Sequence, residues 1–177
     1  MKRSVVSLVV LLAFAQPAMG APSSTSPYAG QQDRPIKSLN AATVQALQAG
    51  EGHGLALVGE LNHYPGPRHV LAMASHLNLT DAQKASTQQV YDEMHAAAVP
   101  LGLRIIEKER QLDQAFQSGS ISNDDLKDLV TQIAGLNAQL RFIHLRAHLA
   151  MKRILTPDQI EMYDSMRGYG DSMPGMH

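Results

Sequence analysis

Residues 122–154 read SNDDLKDLVTQIAGLNAQLRFIHLRAHLAMKRI, and the spacing of their apolar positions decides the fold. Leu126, Leu129, Ile133, Leu136, Leu140, Ile143, Ala147, Ala150 and Ile154 alternate intervals of three and four residues, the repeat of a coiled-coil seam. Ser122, with Asp125 three residues later, supplies the helix start. Just upstream, Leu79-Thr80-Asp81-Ala82-Gln83 places Thr at an N-cap and Gln at N3, a capping box in which each side chain satisfies the other residue's backbone amide. A helix from this box runs to about Ser118, with Gly119 as its stop, and Pro100 and Gly102 inside it predict a kink. The two long helices are separated by a few residues and must form an antiparallel hairpin. A second box, Leu155-Thr156-Pro157-Asp158-Gln159, follows the hairpin, now with Pro at N1, and opens a last helix ending at Gly168. Phe142, Leu145 and Leu149 lie off the seam, so the end of the second long helix is apolar on more than one side. The N-terminal helices, the last helix or a second subunit must cover it, and a homodimer is the expected solution.

Ahead of the hairpin the elements are short. Asn40 caps a helix running to Gln48, a second spans about Leu55 to Leu61, and a third runs from Arg68 to Leu77 after the turn Tyr64-Pro65-Gly66-Pro67. Residues 21–37, rich in Ser, Pro, Gly and Gln, read as a flexible leader. Residues 1–20 read as an export signal: Lys2 and Arg3, an apolar run from Val5 to Ala15, and Ala18-Met19-Gly20 as a small-x-small cleavage site before Ala21. That run is shorter than a membrane-spanning helix requires. The expected location is therefore the periplasm. The divisions are 1–20 signal peptide, 21–37 leader, 38–77 short helices, 78–168 the box-and-hairpin domain and 169–177 a flexible tail.

Composition narrows the function. Lys and Arg number 15 against 16 Asp and Glu, a balance that disfavours a dedicated nucleic-acid binder. With no cysteine there is no disulfide, thiol catalysis or thiolate metal site. His144-Leu-Arg-Ala-His148 lacks the Glu that zinc proteases carry after the first His, and neither a phosphate loop nor a G-x-S-x-G elbow occurs, so no enzymatic activity is expected.

Two Leu-Thr-x-x-Gln boxes flanking a long hairpin behind a signal peptide resemble the Spy/CpxP family of LTxxQ-motif periplasmic proteins, whose relatives include heavy-metal sensors and resistance proteins. The resemblance covers about Leu77 to Tyr169. It implies an all-α dimer shaped as a shallow cradle. It also implies ATP-independent binding of unfolded envelope proteins, or sensing of metal or stress; a scaffold that docks a membrane-bound regulator through its apolar patch is a third option. Arg104, Lys108, Arg141, Phe142, Leu145 and Leu149, on the two long helices, are the candidate client-binding surface. Leu79, Thr80, Gln83, Leu155, Thr156 and Gln159 are read as structural helix caps.

The metal alternative rests on His144 and His148, four apart on one helix face, with Met151 three further on. Such a cysteine-free set suits zinc, nickel or copper. A hairpin turning near residue 120 brings His95 opposite the pair, with Asp92 or Glu93 near. The plainer alternative makes these histidines flanks of the seam, or partners of carboxylates across it. Met173, Met176 and His177 in the tail are a second set for copper.

Overall fold

The computed structural model describes residues 25–169. The segments read as a signal peptide, the start of a leader and a Met/His tail lie outside the described residues. The chain divides into two units: residues 25–32 of the first are turns, and the second, Asp33–His177, carries the fold.

Within that unit the described elements are all helical: α1 Ala41–Gln48, α2 Leu57–Glu60, α3 Pro67–Ala72, α4 Asp81–Gln117, α5 Asn123–Ile154 and α6 Pro157–Arg167. The caps fall where the sequence puts them. The Asn40 side chain accepts the Thr43 amide at 2.8 Å, and the Ser122 hydroxyl accepts the Asp125 amide at 3.1 Å. Gly168 closes α6 in the left-handed conformation at φ 75°, a shape glycine adopts without a Cβ clash. α4 and α5 form the expected antiparallel hairpin. Ala98, Leu101 and Ile105 on α4 cluster with Leu136 and Leu140 on α5, the register a turn near residue 120 dictates. Pro100 sits inside α4, exposed, and the helix continues across it.

Two expectations are corrected. α2 and α3 are shorter than predicted, and Met73–Asn78 is a run of turns rather than the end of α3. The chain must reverse there to enter α4, and Asn78 takes the left-handed φ of 49° to do so. Second, the buried stripe of α5 leaves the heptad seam after Leu140. Ile143, Ala150 and Ile154 are only half-buried, whereas His144, Ala147, His148, Met151 and Leu155 are buried. The reason is tertiary: residues 49–79 and α6 pack on that side. They form a second core in which Val70, Leu77, Leu79, Met151, Leu155, Ile160 and Tyr163 meet. The end of α5 is thus covered on this side by the chain's own N-terminal segment and last helix. Gly102 is also a crossing point, because the α1 backbone at Leu47 packs directly onto it. Among the described residues no helix is long and apolar enough to cross a membrane.

Candidate functional site

The two Leu-Thr-x-x-Gln boxes meet. Each makes its own capping box: Thr80 Oγ1 accepts the Gln83 amide at 3.1 Å, and Thr156 Oγ1 accepts the Gln159 amide at 3.2 Å. In return the Gln83 Oε1 accepts the Thr80 amide at 3.1 Å, and Gln159 Oε1 the Thr156 amide at 2.9 Å. These backbone donors fix which end of each carboxamide is oxygen. The Nε2 of Gln83 then donates to Gln159 Oε1 at 2.8 Å, and the Nε2 of Gln159 donates to Gln83 Oε1 at 3.0 Å. The second hydrogens go to the Ile154 carbonyl at 3.0 Å and the Leu77 carbonyl at 3.2 Å. Both amides are thus fully used, and Leu79 and Leu155 anchor them in one core, 5% and 6% exposed. The boxes are helix caps, as expected, and also a clasp between the start of α4 and the start of α6. Capping is visible in sequence; a bond between residues 76 positions apart is not. Replacing either Gln83 or Gln159 by Ala should lower stability by about 2 kcal/mol, the loss of a cap plus a stranded partner. The double variant should fall short of the sum by roughly 1 kcal/mol. Urea unfolding of the four proteins checks this, and strict additivity would show the amide pair to be uncoupled.

Between residues 49–69, α4, α5 and the end of α6 lies a cavity of about 560 Å³. Of the eight histidines in the sequence, five line it: His53, His69, His95, His144 and His148. His95 is half-buried and stacks on Tyr91 with ring centroids 5.7 Å apart. His144 is 4% exposed beneath Gly52, and its Nε2 is buried with no hydrogen-bond partner. His148 Nδ1 lies 2.7 Å from the Tyr64 carbonyl, so this nitrogen carries the hydrogen and donates it. His144 and His148 are therefore not seam flanks but buried contacts of the N-terminal segment.

Met151 does not join them. It is fully buried in the apolar core, because the turn of α5 after His148 is enclosed by Val70, Leu77 and α6. Asp92 and Glu93 are exposed and accept hydrogen bonds from Gln88 and Gln89 of their own helix. Among the described residues no three His, Cys, Asp or Glu side chains converge as a metal set. His95, His144 and His148 instead lie along the wall of one cavity.

The carboxylate that matters here is Glu60, in the four-residue α2. It is 7% exposed and accepts the Tyr163 hydroxyl at 2.5 Å. Arg167 Nε is 3.3 Å away, His69 Nδ1 3.5 Å and His148 Nδ1 3.8 Å. Burial pushes its carboxyl up, but hydrogen bonds from His69 and Tyr163 and the charges of His69 and His148 outweigh this and hold it at about 2. Burial and the bond to Glu60 push the Tyr163 phenol well up. His63 Nδ1 pairs with Asp164 at 2.7 Å, and Lys152 donates to the His63 carbonyl at 2.8 Å. The segment from α2 to α3 is thereby pinned to α5 and α6 by polar contacts. Nothing local marks Glu60 in sequence, where Leu57, Val58 and Leu61 surround it.

Burial, then the neighbouring His148, lowers the His144 pKa from 6.5. The sign follows directly. The native ring is neutral, the unfolded one takes a proton near pH 6.5, and stability from this group is lost as pH falls below that value. His144→Leu should therefore flatten the loss of stability between pH 7 and pH 5, read by thermal melts at the two pH values. A variant as acid-sensitive as the parent would refute this.

The predicted client-binding residues are surface residues. Arg104, Arg141, Phe142 and Leu149 are exposed, while Lys108 and Leu145 are half-buried. Lys108 donates to Gln111 at 3.0 Å, and the Arg146 guanidinium sits 5.9 Å from the Phe142 ring centroid. Leu145 leans toward Gly59 of α2.

No curated protein and no solved structure matches the chain. The sequence model described as LTXXQ motif family protein matches residues 67–167, more than half of the 177 residues, and takes in α3, both boxes, the hairpin and α6. With two Leu-Thr-x-x-Gln boxes clasped across a helical hairpin, the chain belongs to the LTXXQ motif family, the Spy/CpxP type.

Proposed function

We propose that this protein is a periplasmic, ATP-independent holdase that binds unfolding envelope proteins on the outer faces of its hairpin. One observation carries the reading. Leu103, Phe116, Val130, Phe142 and Leu149, on α4 and α5, are each about half exposed or more, between 48% and 62%. Exposed apolar side chains spread over two long helices, with Arg104, Lys108 and Arg141 among them, offer many weak contacts and no closed pocket. Such a surface holds a non-native chain and lets it go, and a second copy would widen it into a cradle. Equimolar protein should suppress light scattering from a thermally aggregating test client by at least half. Phe142→Ser with Leu149→Ser should weaken that effect severalfold, with an unchanged melting temperature. No suppression by the parent protein would refute the proposal.

A second reading, a metal sensor or buffer, is favoured by the five histidines of one cavity. Calorimetric titration with zinc, nickel and copper tests it. Sub-micromolar binding lost on His144→Ala with His148→Ala supports it, whereas binding no tighter than about 1 mM, or about −4 kcal/mol, refutes it.

A further inference from the structure

From Leu129 to Pro157 the chain contains no Asp or Glu, yet it carries Arg141, Arg146, Lys152 and Arg153. At about 100° per residue these cations are not scattered. Phe142, Leu145 and Leu149 form a central band on α5, with Arg141 and Lys152 along one edge and Arg146 and Arg153 along the other. The whole set occupies an arc of about 140°. All of it is exposed except the half-buried Leu145. The opposite arc holds the buried residues Leu140, His144, Ala147, His148 and Met151, so the orientation of the stripe is fixed by packing. Among the described residues no carboxylate pairs with any of the four cations, although the Lys152 ammonium is held by the His63 carbonyl at 2.8 Å, which leaves the three arginines as the free cations of the stripe. α2, seated against Leu145 and His148 through Gly59, adds the exposed Leu57, Val58 and Leu61 alongside.

We propose that this stripe of α5 docks on a lipid surface bearing anionic headgroups, as a peripheral contact that does not span the bilayer. An apolar band entered between two rows of long cationic side chains is the pattern of a helix lying in the membrane interface. The ring and leucines sit at the acyl boundary while the guanidinium groups of Arg141, Arg146 and Arg153 reach up to the phosphates. A flat anionic plane satisfies both rows at once. The convex stripe offers no groove for a partner helix, and a second copy placed face to face would set like charges, three arginines against three, on one another. This inference does not rest on the holdase reading, whose assay contains no lipid, so either can fail alone.

The test is vesicle flotation of the chain from Ala21 onward, which keeps the compact unit Asp33–His177 whole. Binding is expected to vesicles of phosphatidylglycerol in phosphatidylcholine, to weaken with added salt, and to be absent with phosphatidylcholine alone. Arg141→Glu with Arg146→Glu should lower the partition coefficient by roughly thirtyfold or more. Phe142→Ser with Leu149→Ser should lower it by about tenfold or more. All four sites are exposed, so circular-dichroism melts should match the parent. Failure to float with anionic vesicles, equal binding to neutral ones, or an unaffected arginine double variant each overturns the proposal. So does salt-sensitive capture of an acidic unfolded protein without vesicle binding, which would put a protein on the stripe.

Discussion

Glu60→Ala should destabilise the protein by about 3–5 kcal/mol, the cost of removing one partner from a buried charged network. The substitution leaves the buried Tyr163 hydroxyl with only a long 3.4 Å contact to His69 Nδ1 and removes the anion facing Arg167, His69 and His148. It also frees α2 from α6, 103 residues away in sequence. Glu60→Gln keeps an acceptor for Tyr163 and should lose less, about 1–2 kcal/mol. The same group sets an acid limb. Its carboxyl is held at about 2 against an ordinary 4.5. Its stabilisation is therefore complete above pH 4.5 and disappears as pH falls toward 2, an amount on the order of 2–3 kcal/mol. Urea unfolding of parent and Glu60→Gln at pH 7 and pH 3 measures this. The difference between them should shrink at the lower pH, and a difference that stays constant would remove Glu60 from the account.

Gly102→Ala should lower stability by about 2 kcal/mol, although helix propensity alone favours Ala over Gly by about 1 kcal/mol. A Cβ at residue 102 would stand 2.7 Å from the Leu47 carbonyl carbon and closer still to its oxygen. That obstacle is backbone, at the end of α1, and cannot rotate away. The melting temperature should fall by roughly 4–8 °C for a chain of this size. Gly135→Ala is the matched control. It is a helical glycine with open space around its Cβ position, so the propensity term acts alone and should raise stability by about 1 kcal/mol. Equal shifts for the two variants would mean that α1 slides away from α4 without cost.

These two glycines show why the fold was legible and the site was not. Gly102, beside Pro100, reads in sequence as part of a kink and Gly135 as a lone glycine in a helical pattern, and neither reading reveals a packing role. Only the crossing of α1 over α4 separates them. The same holds for His144 and His148. Their spacing correctly places them on one face, but that face turns inward because the segment around Gly52 and Tyr64 packs on it. Met151 shares their side of the helix and is consumed by the core. Glu60 escaped notice because burial, not local pattern, makes it important.

By itself the sequence determined the two long helices, their caps, their antiparallel register and the family. Those signals act over three to seven residues, through side chain to backbone amide bonds and a heptad seam, and survive without knowledge of the rest of the chain. The tertiary structure alone decided that the two box glutamines bond each other, that the N-terminal segment covers half of α5, and that Glu60 holds it there. Those contacts join residues 76, 84 and 103 positions apart. Their geometry depends on how helices already formed pack together, which no local pattern encodes.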